Sequence, residues 1–344
     1  MGIRLLGMFA TIAVLAAPAG STFDPARTFL MTAFGLSAAE VARVDCGDVV
    51  SRTLEVSNRR EVATLGIVRI GTTPSRYVGH LADITTFKRS RDVLQVGKFS
   101  SPPQAQDLAA LLIDERDLSR LRDCRVDHCE VRLPAADIER LHRETDWNAP
   151  DAPEKATLLM RQFLLEYVVG YRQHGVSAQM EYADRAQRLN VGREFASMLD
   201  DDTITSKYFP PLHRFLLQGT DSSTEHLTDF LYWSKELVRG RPVVSVTNVA
   251  IETVTGDAPV AYAIASKQLY ATHYFDASLG LTLLVPDRTA AAPVTYVVYL
   301  NRSRVDLFDG LFGSVVRRIV AGRARGIVAE QLERLQQVLA EDQS

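Results

Sequence analysis

Beyond residue 17 the chain has no long apolar run, no block of like charge and no internal repeat, and it holds only three cysteines. Each absence narrows the reading. A helix that crosses hydrocarbon needs about 20 apolar residues, so the body of the chain is not expected to span a membrane. Lys and Arg number 39 against 42 Asp and Glu, a formal net charge of -3. Electrostatics therefore imply neither nucleic acid nor an anionic bilayer as a partner. Also missing are a G-x-S-x-G elbow, an H-E-x-x-H pair, a phosphate-cradling G-x-x-x-x-G-K-S/T loop and a Rossmann glycine pattern. A standard hydrolase, metalloprotease or nucleotide enzyme is not indicated, and no cofactor is expected.

What is present begins at the N-terminus. Met1 to Arg4 carries a charge, Leu5 to Ala17 is an apolar stretch of 13 residues, and Pro18-Ala19-Gly20 supplies small residues. This is the layout of a cleavable secretory signal, with cleavage near Ala19 and no lipid-accepting Cys. Residues 1–20 are therefore read as a signal peptide, which places the working protein in a periplasm or outside the cell. About 325 residues remain, enough for one large domain or two. With 46% apolar and 24% charged residues the chain has the composition of an ordinary folded protein. In an oxidising compartment Cys124 and Cys129 are placed to close a small disulfide loop. The alternative, a metal site with His128, lacks a second ligand pair, so no metal is expected. Cys46 is left over, either buried or paired elsewhere.

Residues 21–61 read as a lead-in with one amphipathic helix near Ser37 to Val44. A strand follows at Val62 to Ile70. Thr73-Pro74 then caps a helix on which Tyr77, Leu81 and Ile84 recur at helical spacing, and a second strand covers Asp92 to Phe99. Residues 101–225 read as a mostly helical insertion, with helices near Gln104 to Leu112, Ala135 to His142, Ala152 to Gln173, Ala178 to Leu199 and Tyr208 to Leu217. A short strand at Glu130 to Leu133 is a further possibility. The period then switches to two. Strands are expected at Thr228 to Val238, Val243 to Val254, Val260 to Tyr270, Tyr274 to Val285 and Val294 to Asn301, joined by short turns into an antiparallel meander. From Asp309 a long helix begins, with Val316, Ile319, Ile327, Val328, Leu332, Leu335 and Leu339 in one stripe. Its arginines, Arg317, Arg318, Arg323 and Arg325, read as a solvated face.

Strand, helix, strand, five antiparallel strands and a long terminal helix make an α+β chain that resembles the START-like, or Bet v 1-like, helix-grip superfamily of polyketide cyclases and lipid-transfer domains. The resemblance rests on this order, on Thr73-Pro74-Ser75-Arg76-Tyr77-Val78 followed by Leu81-Ala82-Asp83-Ile84, and on the last helix. It covers residues 62–100 and 226–342. It implies a curved antiparallel sheet gripping the C-terminal helix around an elongated apolar cavity. The insertion is a departure from that pattern and is read as a lid or a partner surface.

A pocket of this kind is lined by apolar and aromatic residues. Phe230, Tyr232, Tyr262, Tyr270, Phe275, Tyr296 and Tyr299 are the aromatic candidates, each equally at home in a plain core. Ligand contacts are expected from Tyr232, Trp233, Lys267, Tyr270, Tyr274, Tyr299, Arg302 and Arg304. By strand alternation Ser266, Gln268 and Tyr270 share one side, and Lys267, Leu269 and Ala271 the other. Lys267, if buried, needs a carboxylate or a lowered pKa, and it reads more simply as an exposed residue on the convex side. His273 is a conceivable acid or base near neutral pH. Arg302, Arg304 and Asp306 form either an anion site or an ion-pair network.

The leading expectation is an exported binding or carrier protein for a hydrophobic small molecule or lipid. A START-like enzyme of cyclase or hydrolase type, with Lys267, His273 and Tyr270 converging as acid–base groups, is the second. An envelope module that binds a protein partner through the insertion is the third.

Overall fold

The computed structural model describes residues 24–219, 226–306 and 313–341; the segment read as a signal peptide lies outside them. The lead-in forms α1 (Pro25–Phe34), α2 (Ala38–Asp45) and β1 (Val50–Leu54), and is followed by β2 (Glu61–Ile70), α3 (Pro74–Ala82), α4 (Ile84–Phe87) and β3 (Val93–Lys98). The insertion carries α5 (Glu115–Asp123), α6 (Ala135–Glu144), α7 (Ala152–His174), a ribbon of β4 (Glu181–Tyr182) and β5 (Leu189–Asn190), α8 (Val191–Leu199), α9 (Thr203–Tyr208) and α10 (Pro210–Gln218). The meander is β6 (Leu227–Val238), β7 (Arg241–Thr253), β8 (Tyr262–Ala271), β9 (Phe275–Pro286) and β10 (Thr295–Val305), and the chain ends in α11 (Gly313–Glu341).

Eight strands form one antiparallel sheet in the order β1-β2-β10-β9-β8-β7-β6-β3. The hairpin between β6 and β7 turns on Arg239 and Gly240, with φ of 54° and 76°. Two left-handed residues in a two-residue loop match the twist of the flanking strands. Between β8 and β9 the turn uses Tyr274 at φ 67°, so this link closes without Gly or Pro. The lead-in also contributes to the sheet, since β1 pairs outside β2 along Val50↔Ile67 to Leu54↔Ala63. The Glu130 to Leu133 segment is not a strand, although Arg132 N–H donates to Thr272 O at the end of β8, 3.0 Å away.

Both faces of the sheet are covered. The face bearing Leu65, Ile67, Leu281, Leu283 and Val298 packs against α1, α2, α8, α9 and α10. Towards β6 to β8 the same face carries Trp233, Val244, Val246, Leu269 and Tyr270, which meet Phe163, Leu164, Tyr167 and Val168 of α7. The opposite face presents Val68, Ile70, Val249, Ile251, Ile264, Leu284 and Val297 to α3, α4 and α11. The insertion is thus the cover of one sheet face. As a result β7 is buried without interruption from Val243 to Glu252, its polar residues Ser245, Thr247 and Asn248 included.

Two buried charges hold α10 on the insertion face. The Glu252 carboxylate accepts from Leu212 N–H at 3.0 Å in its first turn, and Lys267 Nζ donates to Leu216 O at 2.9 Å in its last. An anion at the N-terminus and a cation at the C-terminus complement the helix dipole and occupy backbone groups that the helix leaves unpaired.

Helix α11 runs along β2 and touches β1. It approaches so closely that a Cβ on Gly66 would stand 2.4 Å from Val328 Cγ1 and 2.6 Å from Leu332 Cδ1. Gly66→Val is therefore expected to lower stability by about 1–3 kcal/mol through overpacking. A urea midpoint unchanged in that variant would show that α11 does not rest on Gly66.

Candidate functional site

On the α11 side of the sheet a group of polar and aromatic side chains is only partly buried. Because α11 sits over β1 and β2, central strands β8, β9 and β10 are incompletely covered, and Ser266, Gln268, Ser278, Tyr299, Asn301 and Ser303 are only partly buried. Tyr299 lies across Gly280, whose Cβ would come 3.3 Å from the phenol oxygen. Asn301 Nδ2 donates to that oxygen at 3.4 Å, Ser303 Oγ donates to Asn301 Oδ1 at 3.0 Å, and the Ser278 and Ser303 hydroxyls are 2.8 Å apart.

On the same face α3 and α4 bring Tyr77 and Lys88 against β6 and β9. Lys88 Nζ pairs with Glu236 Oε1 at 2.8 Å and lies 5.9 Å from the Tyr232 ring centroid. Ser234 Oγ donates to the same carboxylate at 2.6 Å. Burial alone would lower the Lys88 pKa, but Tyr232 and Glu236 outweigh it and hold the ammonium above its ordinary value. Burial pushes Glu236 up, and Lys88 more than reverses it, so the carboxylate stays below its usual range. Burial and the neighbouring Tyr299 raise Tyr77, against the hydrogen bond with Thr282. The result is a largely buried aromatic cluster of Tyr77, Tyr232 and Tyr299 beside one internally neutralised ion pair.

Of the residues singled out in the sequence, Tyr232 and Tyr299 belong to this cluster, as do Phe230 and Tyr262. The others lie elsewhere. Trp233 points to the insertion face, where its indole N–H donates to Asp107 O at 2.8 Å. Lys267 is on that face too, only 1% exposed, with Nζ 4.2 Å from the Phe195 ring centroid. Desolvation lowers its pKa to about 7. It is not the exposed residue that alternation suggests, because α8 and α10 cover the position. Tyr270 joins the insertion core and donates to Arg132 O at 3.0 Å. It leaves the side of Ser266 and Gln268 because Val246 pairs with Tyr270 while Thr247 pairs with Gln268. Leu269 is thus an extra, bulged residue, and a bulge shifts the alternation.

His273 is pinned between Glu130 O and Asp117 Oδ2, each 2.9 Å from one ring nitrogen. Neither nitrogen is free to serve a substrate. Lys267, Tyr270 and His273 therefore hold three separate structural positions, and the structure does not bring them together. Tyr274 and His273 border a crevice of about 360 Å³ with Arg132, Arg185, Arg241 and Asp306. Its charges are paired: Arg132 with Asp276 at 2.8 Å and Asp306 at 3.0 Å, Arg185 with Asp306 at 2.5 Å, and Arg241 with Asp117 at 2.9 Å. Burial lifts Asp276 to about 6 even though Arg132 and Arg60 oppose the shift. Arg302 and Arg304 extend the same network by converging on Glu61, at 2.6 Å and 3.1 Å.

The Cys124 and Cys129 sulfurs are bonded, their Cα atoms 4.4 Å apart, whereas Cys46 is exposed rather than buried or paired. Sequence reading missed Tyr77, Lys88 and Glu236 as members of one site, and it missed the small polar residues beside them. A usable signal did exist: Ser266-x-Gln268, Ser278-x-Gly280-x-Thr282 and Asn301-x-Ser303 place small or polar residues at one parity on three neighbouring strands. Comparison of the chain with protein-family models, curated proteins and solved structures finds no match.

Proposed function

We propose that this chain is an exported binding or carrier protein that holds a hydrophobic small molecule or lipid on the α11 face of its sheet, in the manner of a helix-grip domain. The observation that carries the reading is the incomplete cover of β8 to β10, where Tyr262, Ser266, Gln268 and Tyr299 are only partly buried above a packed core of Ile264, Leu284 and Val297. Partly open apolar and aromatic surfaces within a fold are the common setting of small-molecule sites. The order of sheet and terminal helix agrees with the helix-grip expectation, and the disulfide is compatible with an oxidising compartment.

Native mass spectrometry of protein recovered from its own cell envelope is expected to find a bound apolar molecule. After its removal, an acyl fluorophore should rebind, and Tyr299→Ala should weaken that binding by about tenfold, equivalent to ~1.4 kcal/mol. Protein that carries nothing and binds no acyl probe would end the proposal.

A further inference from the structure

The charged crevice of about 360 Å³ at the β8–β9 turn has no part in the carrier reading. Its rim is a γ-turn: Phe275 N–H donates to His273 O at 2.8 Å around Tyr274, whose φ is 67°. Such turns are rare and strained, and a bulky side chain in the left-handed region persists only where its surroundings over-determine it. Two crevice residues supply that constraint. Arg132 N–H donates to Thr272 O at 3.0 Å and its guanidinium to Phe275 O, while Asp306 N–H donates to Tyr274 O at 3.0 Å. The strained turn thus sets Tyr274 in the crevice wall, where its phenol has no hydrogen-bond partner among the described residues.

The crevice offers bonding capacity without a surplus of either charge. Three guanidiniums, Arg132, Arg185 and Arg241, face three carboxylates, Glu130, Asp184 and Asp306. Asp306 takes both Arg132 and Arg185 on Oδ2, and its Oδ1 receives no bond among the described residues. Arg241 Nη2 is held by Asp117 at 2.9 Å, but Nη1 stands 3.8 Å from the Glu130 carboxylate, and the buried Nε has no partner among the described residues. Arg185 is 54% exposed and keeps N–H groups to spare. A charged or zwitterionic ligand would find each opposite charge already committed, so its desolvation would go uncompensated. A hydrocarbon would cover these open donors and acceptors and satisfy none. A hydroxyl both donates and accepts, so a hydroxyl-rich molecule can serve Asp306 Oδ1, Arg185 and the Tyr274 phenol with every ion pair intact. We propose that this crevice binds a neutral mono- or disaccharide, with the Tyr274 ring against a C–H face of the sugar. The volume lies at the small end of ligand pockets, as that class requires. The site does not depend on the carrier reading above.

The test is calorimetric and saturation-transfer NMR titration of the full chain with maltose, cellobiose and N,N′-diacetylchitobiose, against glucuronate, glucosamine and glutamate as charged counterparts. At least one neutral sugar is expected to bind with a Kd of about 1 mM or tighter, and about tenfold ahead of every charged compound. Tyr274→Gly removes the ring at a position whose φ suits glycine, so it should fold at least as well, with an unlowered urea midpoint, yet bind the sugar about tenfold more weakly. Tyr299→Ala, on the α11 face, should leave sugar binding unchanged. Binding of none of the three neutral sugars overturns the proposal. So does a charged compound that binds as tightly as they do, or sugar binding that survives intact in folded Tyr274→Gly.

Discussion

Replacement of Lys267 by Met is expected to stabilise the folded chain at pH 7 and to flatten its stability between pH 7 and about 10.5. The ammonium is 1% exposed and burial is the sole cause of its lowered pKa, so no carboxylate compensates it. A lysine titrating near 7 when folded and near 10.5 when unfolded binds fewer protons in the folded state throughout that window. Stability therefore rises with pH across it, and below pH 7 the full penalty is present, as much as about 5 kcal/mol. Met fills a similar volume without the charge. The change leaves Leu216 O without its donor, at a cost of about 1–3 kcal/mol, so a net gain of ~1–3 kcal/mol is expected at pH 7.

Buried tyrosines set the other limb. Burial raises Tyr77, Tyr167 and Tyr270 above their ordinary value, so their contribution is present below pH 10 and is lost as pH rises beyond it. The unaltered protein should be most stable near pH 9 to 10. Urea titrations in a Cys46→Ser background, which prevents thiol exchange with the disulfide, measure both limbs. A stability curve that is level from pH 7 to 9 in both proteins would refute the assignment.

The second large effect is expected at Glu61. Its carboxylate is 0% exposed and is the ion-pair partner of Arg302, while Arg304 also reaches Glu194 at 3.2 Å. Glu61→Ala strands a guanidinium within the β2–β10 pair, and breaking a buried pair from one side costs about 3–5 kcal/mol. Glu61→Leu combined with Arg302→Met should recover most of that loss, because both desolvated charges disappear together. Calorimetric melting of the two variants checks this, and equal melting temperatures for the single and double variants would show that the pair contributes nothing.

The meander was legible because three of its four turns carry glycine or proline and its strands alternate, and β6 to β10 fall within a few residues of the sequence-based bounds. Parity along each strand was legible as well. What no single strand can state is which parity will be covered, and that depends on α7, α8 and α10. Lys267 illustrates the point, being outward by alternation yet buried by an insertion whose docking leaves no mark on β8 itself. The bulge at Leu269 is a second case: it changes the side of Tyr270 without any glycine to announce it.

Shorter elements escaped for want of pattern. β1 has five residues, and the β4–β5 ribbon interrupts a stretch that reads as one helix from Ala178 to Leu199. α1 did carry signals, an Asp24-Pro25 start and a left-handed Gly35 stop. In α11 the stripe is right at Val328, Leu332 and Leu339, while Ile319 and Ile327 are 53% exposed because the helix docks through a narrower face.

One consequence of the sheet order concerns assembly. β2 pairs with β10, so Thr64 meets Asn301 across more than two hundred intervening residues, and the apolar face of α7 packs on β6, β7 and β8, all of which follow it in the chain. A chain emerging N-terminus first holds a finished β1–β2 hairpin whose β2 edge is still unpaired and a set of amphipathic helices with nothing to cover. The helices cannot settle until β6 to β8 are available, nor the hairpin until β10 is. Contacts this distant in sequence close late and slowly, and until then the exposed edge and helix faces are the surfaces on which the chain is most prone to aggregate.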